Sequence, residues 1–357
     1  RKLLEDPPPP YIFEVSQQGI AWARRLPEKG ARLETGFSPL AEGVLTVSPV
    51  QENVAQPEVF EHAVAQLAAN GGVRRTRDAA EILPDYSTRI AVLDFDQFPS
   101  AHEEQMALVR FRMKKTVPFE MDTASIGFHA RQYDGRWYVV AAAAALEIVA
   151  RYEAAFRGAG FVPGFVTTSA LAAISLVAAE PLVATAKLGG RVLTVTLSEG
   201  SRLRLLRCME LSEATVDEVM SVLFPTMAYA EDELPRKPEK LVLCGFGDLA
   251  PGLGEACAAE LGLSVERAVP ARPSRDPGRL GGRSGPAGTV SVPVVHGLDS
   301  TKRGRRHARR SGGGAAAVER HEYGAGEVRH RTAAAGQRAV DRTQPFLQLA
   351  AVAQGHL

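Results

Sequence analysis

The sequence predicts an α/β protein with two similar lobes and a smaller inserted subdomain. Three observations carry this. The chain has 357 residues, enough for about two domains of ordinary size. Strand hairpins open two halves of it, one at Tyr11 and one at Arg191, as in a duplicated unit. From Arg89 to Arg157 the patterns run β-α-β-β-α, which is enough for a compact subdomain. With 45% apolar and 23% charged residues, the chain has the balance of a protein that buries a core. That excludes a wholly disordered or collagen-like molecule.

The elements follow in order. Tyr11 to Val15 and Ile20 to Arg24 are β-rich, and Ser16-Gln-Gln-Gly19 turns between them. Gly43 to Val47 reads as a third strand. Pro57 to Asn70 is a helix: Pro57 suits its first position, and Phe60, Val64 and Leu67 share a face. Asn70-Gly71 is its stop. Arg89 to Phe95 is a strand with an apolar centre. Ser100-Ala-His-Glu103 has capping-box spacing and opens a helix to Lys115, ahead of Pro118.

Thr123 to Ala130 alternates loosely, and Arg136 to Ala141 is β-leaning after an Asp134-Gly135 turn. Ala142 to Arg157 is helical, with Leu146, Val149, Tyr152 or Ala150, and Phe156 inward and Gly158 as its stop. Arg191 to Leu197 and Arg202 to Arg207 pair around Ser198-Glu-Gly-Ser201. Glu213 to Glu231 is a helix capped by Ser212 and kinked at Pro225. Lys240 to Cys244 is a short buried strand that runs into Gly245-Phe-Gly247, and a helix to Leu261 follows.

No membrane span is expected. The longest uncharged run, Gly158 to Ala179, is long enough to cross a bilayer. It is interrupted by Gly160, Pro163 and Gly164, however, and its apolar residues are largely alanine. It reads as a buried strand, Phe161 to Val166, followed by a small-residue helix, Ser169 to Ala178. Arg1 to Asp6 leads into four prolines without an apolar stretch, so no signal peptide is expected. Cys208, Cys244 and Cys257 lack metal-binding spacing and fit a reducing compartment.

From Ala271 onward the chain changes character. Residues 271–357 hold 14 arginines and one lysine against six acids, while the rest is net acidic. Lys302-Arg-Gly-Arg-Arg-His-Ala-Arg-Arg310 has the composition of an anion-binding patch for nucleic acid or membrane. Low hydrophobic periodicity fits a disordered tail equally. Excess Arg, Gly, Ala and Pro is also what out-of-frame translation of GC-rich coding DNA produces. On that reading the frame changes near Ala268 to Pro277, and resequencing the coding DNA tests it.

Three stretches carry a family resemblance. They are Arg89-Ile-Ala-Val-Leu-Asp-Phe-Asp-Gln-Phe-Pro99 with Arg110-Phe-Arg-Met-Lys-Lys-Thr-Val-Pro-Phe119; Tyr138-Val-Val-Ala-Ala with Gly158-Ala-Gly-Phe-Val-Pro163 and the Leu171-Ala-Ala-Ile-Ser-Leu helix; and Lys240-Leu-Val-Leu-Cys-Gly-Phe-Gly-Asp-Leu-Ala-Pro-Gly-Leu253. Over Tyr11 to Val269 the chain resembles the type IV pilus assembly protein PilM, a relative of the cell-division protein FtsA and of actin. The resemblance implies an actin-like two-lobed α/β fold with an inserted β-α-β-β-α subdomain. Residues 11–88 and 158–180 then form the first lobe, 89–157 the insert and 181–270 the second lobe. Residues 1–10 are a Pro-rich lead and 271–357 the tail.

Actin-like proteins hold ATP phosphates with two glycine-bearing hairpin turns, each led by an acid that helps hold magnesium. Backbone amides at such turns point at phosphate oxygens, and a hard cation takes oxygen ligands. By the resemblance, Glu14 stands for the first acid and Ser16 for the first glycine, with Ala21 where relatives carry a lysine. In the second hairpin Thr185 replaces the acid and Lys187 a glycine, with Gly189 and Gly190 in partial compensation. Gly245 and Gly247 keep the pattern of the loop that faces base and ribose. With two of three loops departing, hydrolysis is not expected and no cofactor is firmly implied; ATP with magnesium is the ligand to test. Lys187 and Arg191 read as solvated hairpin charges, or else as phosphate contacts.

Other chemistry is sparse. Asp94 and Asp96 share a strand face, as a solvated strand end or a paired carboxylate. His62 and His129 read as ordinary histidines, Cys244 as a small apolar filler, and no Gly-x-Ser-x-Gly elbow surrounds Ser169 or Ser175. Arg110, Arg112, Lys114 and Lys115 make a basic helix end that complements the helix dipole, or else touches acidic lipid or a partner.

The resemblance implies a non-enzymatic cytoplasmic scaffold peripheral to the inner membrane, in a type IV pilus or related secretion platform. Its implied partner is a short cytoplasmic peptide of a PilN-like bitopic membrane protein, docked between the first lobe and the insert, with other platform proteins and self-association as further partners. Phe95, Phe98, Phe111, Pro118 and Phe119 surround that groove or belong to the core. The alternatives are an active actin-like ATPase or FtsA-like filament former, and a nucleic-acid binder led by the tail; no nucleic acid is expected.

Overall fold

The computed structural model describes residues 9–25, 33–69, 77–174, 182–200 and 202–268. The Pro-rich residues 1–8, the proposed helix beyond Ile174 and every expectation for 271–357, the frame change included, lie outside the described residues.

Two five-stranded sheets share one plan. The first uses β1 (Tyr11–Ser16), β2 (Gly19–Arg25), β3 (Leu33–Pro39), β4 (Arg77–Leu83) and β8 (Phe161–Thr168), in the order β3-β2-β1-β4-β8. The second uses β9 (Val183–Gly189), β10 (Val192–Glu199), β11 (Arg202–Glu210), β12 (Lys240–Cys244) and β13 (Ser264–Arg267), in the order β11-β10-β9-β12-β13. In each, the first three strands form an antiparallel meander and the last two add in parallel. Parallel addition needs a crossover that covers a face. Helices α1 (Pro57–Ala69) and α3 (Leu146–Gly158) cover the first sheet, and α5 (Val216–Glu233) and α6 (Ala250–Ala256), extended by the π turn Cys257–Leu261, cover the second.

Aromatic packing anchors the first lobe. Phe13 lies 4.8 Å from Phe156 and 4.7 Å from Phe161, ring centre to centre. Such pairs add about 0.5–1.5 kcal/mol each beyond the area they bury. The second lobe is aliphatic: Leu193, Val195 and Leu197 of β10 point at Leu223 and Leu253 in the helix layer.

The insert is a three-stranded antiparallel sheet, β5 (Arg89–Phe95), β6 (Ala124–Tyr133) and β7 (Arg136–Ala145), in the order β5-β7-β6, with α2 (His102–Met113) against it. Side chains alternate along β7. Val139, Ala141 and Ala143 meet Val109 and Met113 of α2, whereas Ala142 and Ala144 join the first lobe's core. Helix α3, placed within the insert by the sequence boundaries, packs Ile148, Val149, Tyr152 and Phe156 into that same core.

Several local expectations change. Gly43 to Val47 is not a strand; it holds only an isolated bridge, Leu45 to Val54. The third strand is β3, a run broken by Gly36 that gains its partner from β2. β4 was not visible in the sequence, because Asp78 and Glu81 interrupt its apolar pattern. Residues 142–145, assigned to a helix, extend β7 instead, because ladder pairing with β6 outweighs alanine's helix preference. The Ser100 capping box does not form: α2 starts after Ala101 with no side-chain cap. Thr215, not Ser212, caps α5. The Glu218 carboxylate accepts from the Ser212 and Glu213 amides, which holds those residues ahead of the helix.

Candidate functional site

The functional candidates gather where the lobes meet. On β10, Leu193, Val195 and Leu197 face the helices, so Thr194, Thr196 and Ser198 face the opposite way. Ladder partners share a face, so Lys187 and Thr185 of β9, Cys208 of β11 and Cys244 of β12 join them. The second lobe therefore meets the first with a polar face, in which Thr185, Thr196 and Ser198 bury hydroxyls that have no protein partner.

Asp85 holds the seam. It sits in a 3-10 turn, Asp85–Ser87, just beyond β4, and its side chain is 2% exposed. One carboxylate oxygen, Oδ1, accepts from the Ala170 amide at 2.6 Å, at the start of α4 (Ser169–Ala173), within its own lobe. The other, Oδ2, accepts from Lys187 Nζ and from Thr194 Oγ1, each at 3.0 Å, across the seam. Nearby, the Ser169 hydroxyl donates to Glu14. Burial alone would lower the Lys187 pKa, but the Asp85 and Glu14 carboxylates outweigh it and raise it above the usual value. Lys187 is therefore a buried cation, and its expected role as a solvated hairpin charge is overturned. Arg191 is such a charge, half exposed and paired with Glu210 at 2.7 Å.

Register defines the equivalences between lobes. Ser16 pairs with Gly19 across the first turn, and Gly189 with Val192 across the second. Counting back two residues, Glu14 pairs with Ala21 and Lys187 with Thr194. Lys187 is therefore the counterpart of Glu14, and Gly189 that of Ser16. The sequence alignment that set Thr185 against the acid is two residues out of step.

The other candidates take clear places. The Ser16 hydroxyl donates to the Gly19 carbonyl and closes its own turn. Gly190 has φ +62°, and a Cβ there would lie 3.3 Å from Gln17 Oε1, so the two hairpin turns abut. Gly245 has φ +77°, and a Cβ on it would collide with the Leu188 carbonyl. Its glycine serves strand packing as well as any loop function. Gly247 opens a 3-10 turn, and a Cβ on it would meet no atom within 4 Å. Thus Glu14, Ser16, Gly189, Gly190 and Gly245 lie on the hairpin and strand ends around Lys187, and Gly247 begins the turn that follows β12.

The charges do not fit a magnesium nucleotide. A divalent cation needs oxygen ligands, and the second hairpin offers an ammonium already committed to Asp85. A phosphate arriving without its metal would face the Asp85 and Glu14 carboxylates. Among the described residues, no group of three or more His, Cys, Asp or Glu side chains is placed to hold a metal.

Asp85 and Thr194 are not marked by the sequence, and Ser169 is weighed there only as a nucleophile. Asp85 and Lys187 are 102 residues apart, and no local pattern links them. One signal was present, since Lys187 is the single charge in an otherwise uncharged strand. Beside the ion pair, Asp85, Thr88, Arg89, Ile90, Leu206 and Cys208 line a cavity of about 240 Å³. Burial, then the Asp85 charge, pushes the Cys208 thiol up to about 12, and burial pushes Cys244 to about 11. Neither is a ready thiolate nucleophile.

Elsewhere the bland expectations hold. Asp94 is exposed and Asp96 pairs with Arg136 at the surface. His62 bonds Gln66 on the outside of α1. Burial, and then Arg131, lowers the His129 pKa to about 4, so it is neutral at ordinary pH. Of the groove candidates, Phe95 is buried, Phe98 packs on Phe95 and Trp137, and Phe119 is partly buried; Pro118 and Phe111 are exposed, Phe111 by 69%.

No protein-family model matches the chain, and no curated protein sequence does. Solved structures do match. A type IV pilus biogenesis complex described as PilM–PilN aligns at 19% identity with a TM-score of 0.59, over 72% of this chain and 87% of that one. The fold is actin-like. Two further matches are more distant. The cytoplasmic domain of EpsL, an inner-membrane component of the Vibrio cholerae type II secretion system, aligns at 11% identity and TM-score 0.43, over 66% of this chain and 81% of that one. A Bacteroides thetaiotaomicron protein with an actin-like ATPase fold aligns at 10% and 0.46, over 71% and 89%. No helix among the described residues is long and apolar enough to cross a membrane.

Proposed function

We propose that this PilM-like chain is a non-catalytic scaffold on the cytoplasmic side of the inner membrane, in a type IV pilus or related secretion platform. The observation that carries the reading is the match to the PilM–PilN complex over 87% of that chain, taken with a lobe junction held by Lys187 and Asp85. Its partner is a short peptide of a PilN-like bitopic protein, taken up between the first lobe and the insert. Extended peptides dock by backbone pairing to a free strand edge plus a few apolar anchors. The insert offers such an edge in β6, which pairs on one side only within its sheet, whereas β5 lies against β11.

The test is calorimetric titration of the full chain with the cytoplasmic peptide of the neighbouring PilN-like protein, and separately with Mg-ATP. Saturable peptide binding without ATP binding is the expected result. ATP binding with turnover would replace this reading by that of an actin-like ATPase. Absence of both, with a folded chain by circular dichroism, would leave the likeness as one of fold alone.

A further inference from the structure

We infer that the cation site between the lobes is filled from within: the Lys187 ammonium is a tethered ligand that holds the two lobes together without any nucleotide. Four observations carry this. By register, Lys187 stands where the first lobe presents Glu14, so an acid on one hairpin is matched by a cation on the other. The Lys187 ammonium reaches Asp85 of the other lobe at 3.0 Å, and the two side chains are 12% and 2% exposed. Thr194 and the Ala170 amide supply the remaining hydrogen bonds to that carboxylate, as a buried ion pair requires if it is not to be a net cost. The hairpin turns also meet, with Gln17 against Gly190.

In an open-cleft protein the two lobes separate unless a ligand bridges them, so closure reports occupancy. Here the bridge is covalently part of one lobe. Its effective concentration is set by a strand rather than by a metabolite. The lobes are held shut at all times, and the surfaces that depend on their relative placement, such as the contact of β11 with β5, are presented constitutively. The ligand class that the site accepts is a primary ammonium, with Asp85 as its acceptor and Glu14 as the next negative charge.

Chemical rescue tests this in the full chain. Lys187→Ala removes the tethered cation and leaves its acceptors. The expected result is a fall in Tm of roughly 10 °C, with a larger radius of gyration in small-angle scattering. Ethylammonium chloride should restore both, and tetramethylammonium chloride at equal ionic strength should not, because that cation has no N–H or O–H to donate. Unchanged scattering and no selective rescue would overturn the inference. If Lys187→Ala does not fold, Asp85→Asn keeps the site testable. Faster amide exchange at Ala170 and along β9, with the rest of both lobes still protected, supports the clasp; unchanged exchange there overturns it. Neither measurement involves the partner peptide, so failure here is separable from failure of the scaffold reading.

Discussion

The β1–β2 and β9–β10 hairpins have the same two-residue turn, the same register and the same place in their sheets, yet opposite charge at the equivalent position. The first lobe presents Glu14 and the second Lys187. Two like acids at a seam need a cation between them. An acid facing a lysine needs none, and the complement comes from the chain itself. The helix-facing side differs in the reverse sense. Register with Phe13 places Glu81 on β4, and register with Ala186 places Leu243 on β12. The first lobe thus buries a carboxylate where the second buries an aliphatic side chain. A neighbour answers one of these exchanges and not the other. Lys187 has Asp85, whereas both Glu81 oxygens lack a hydrogen-bond partner.

The largest expected effect comes from erasing the first difference. Lys187→Glu would set a third carboxylate beside Asp85 and Glu14 in a buried seam. Removing one partner of a buried pair costs about 3–5 kcal/mol, and reversal adds repulsion. We expect a lower urea midpoint or loss of soluble protein. A midpoint within error of wild type would mean that the seam opens freely to water.

Glu81→Leu sharpens the second difference by giving the first lobe the residue of the second. Burial, then the Glu153 charge, holds the Glu81 pKa well above its ordinary value. A raised folded pKa means that the native state binds the proton more tightly than the unfolded chain. That contribution is whole below pH 4.5 and is lost as pH rises through the folded value. Glu81→Leu removes the loss. Its advantage over wild type should therefore grow from acid to alkaline pH, reaching about 1–3 kcal/mol. Denaturation series at several pH values measure it, and a pH-independent difference would contradict the burial argument.

The smallest effect is expected only four residues from Lys187. The Arg191–Glu210 pair is 60% and 42% exposed, and exposed pairs contribute about 0–1 kcal/mol. Arg191→Ala should leave the urea midpoint nearly unchanged. A large loss would show that the turn, rather than the buried lysine, joins the lobes.

Much of the fold was legible because its signals are local. The Ser16–Gly19 turn, the Pro57 helix start and the apolar Arg89–Phe95 strand each depend on a few adjacent residues. β4 was not legible: its charges, Asp78 and Glu81, sit in a strand paired on both sides, where tertiary burial overrides propensity. The Ala142–Ala145 stretch was misread for the same reason, since an alanine run takes the structure that its neighbours impose. The site was half legible. Its turns carry glycines that any reader would mark, but the alignment slipped by two residues, a shift that keeps side-chain faces and so leaves the hydrophobic pattern silent.

By itself the sequence determined the α/β class, one strand hairpin in each half, the insert and the three glycine-bearing loops, because each is written in hydrophobic period and turn chemistry over short spans. Only the tertiary structure decided what those loops surround. Whether Lys187 is a solvated charge or a buried clasp depends on Asp85, 102 residues away, and on the desolvation that only packing of the two lobes imposes.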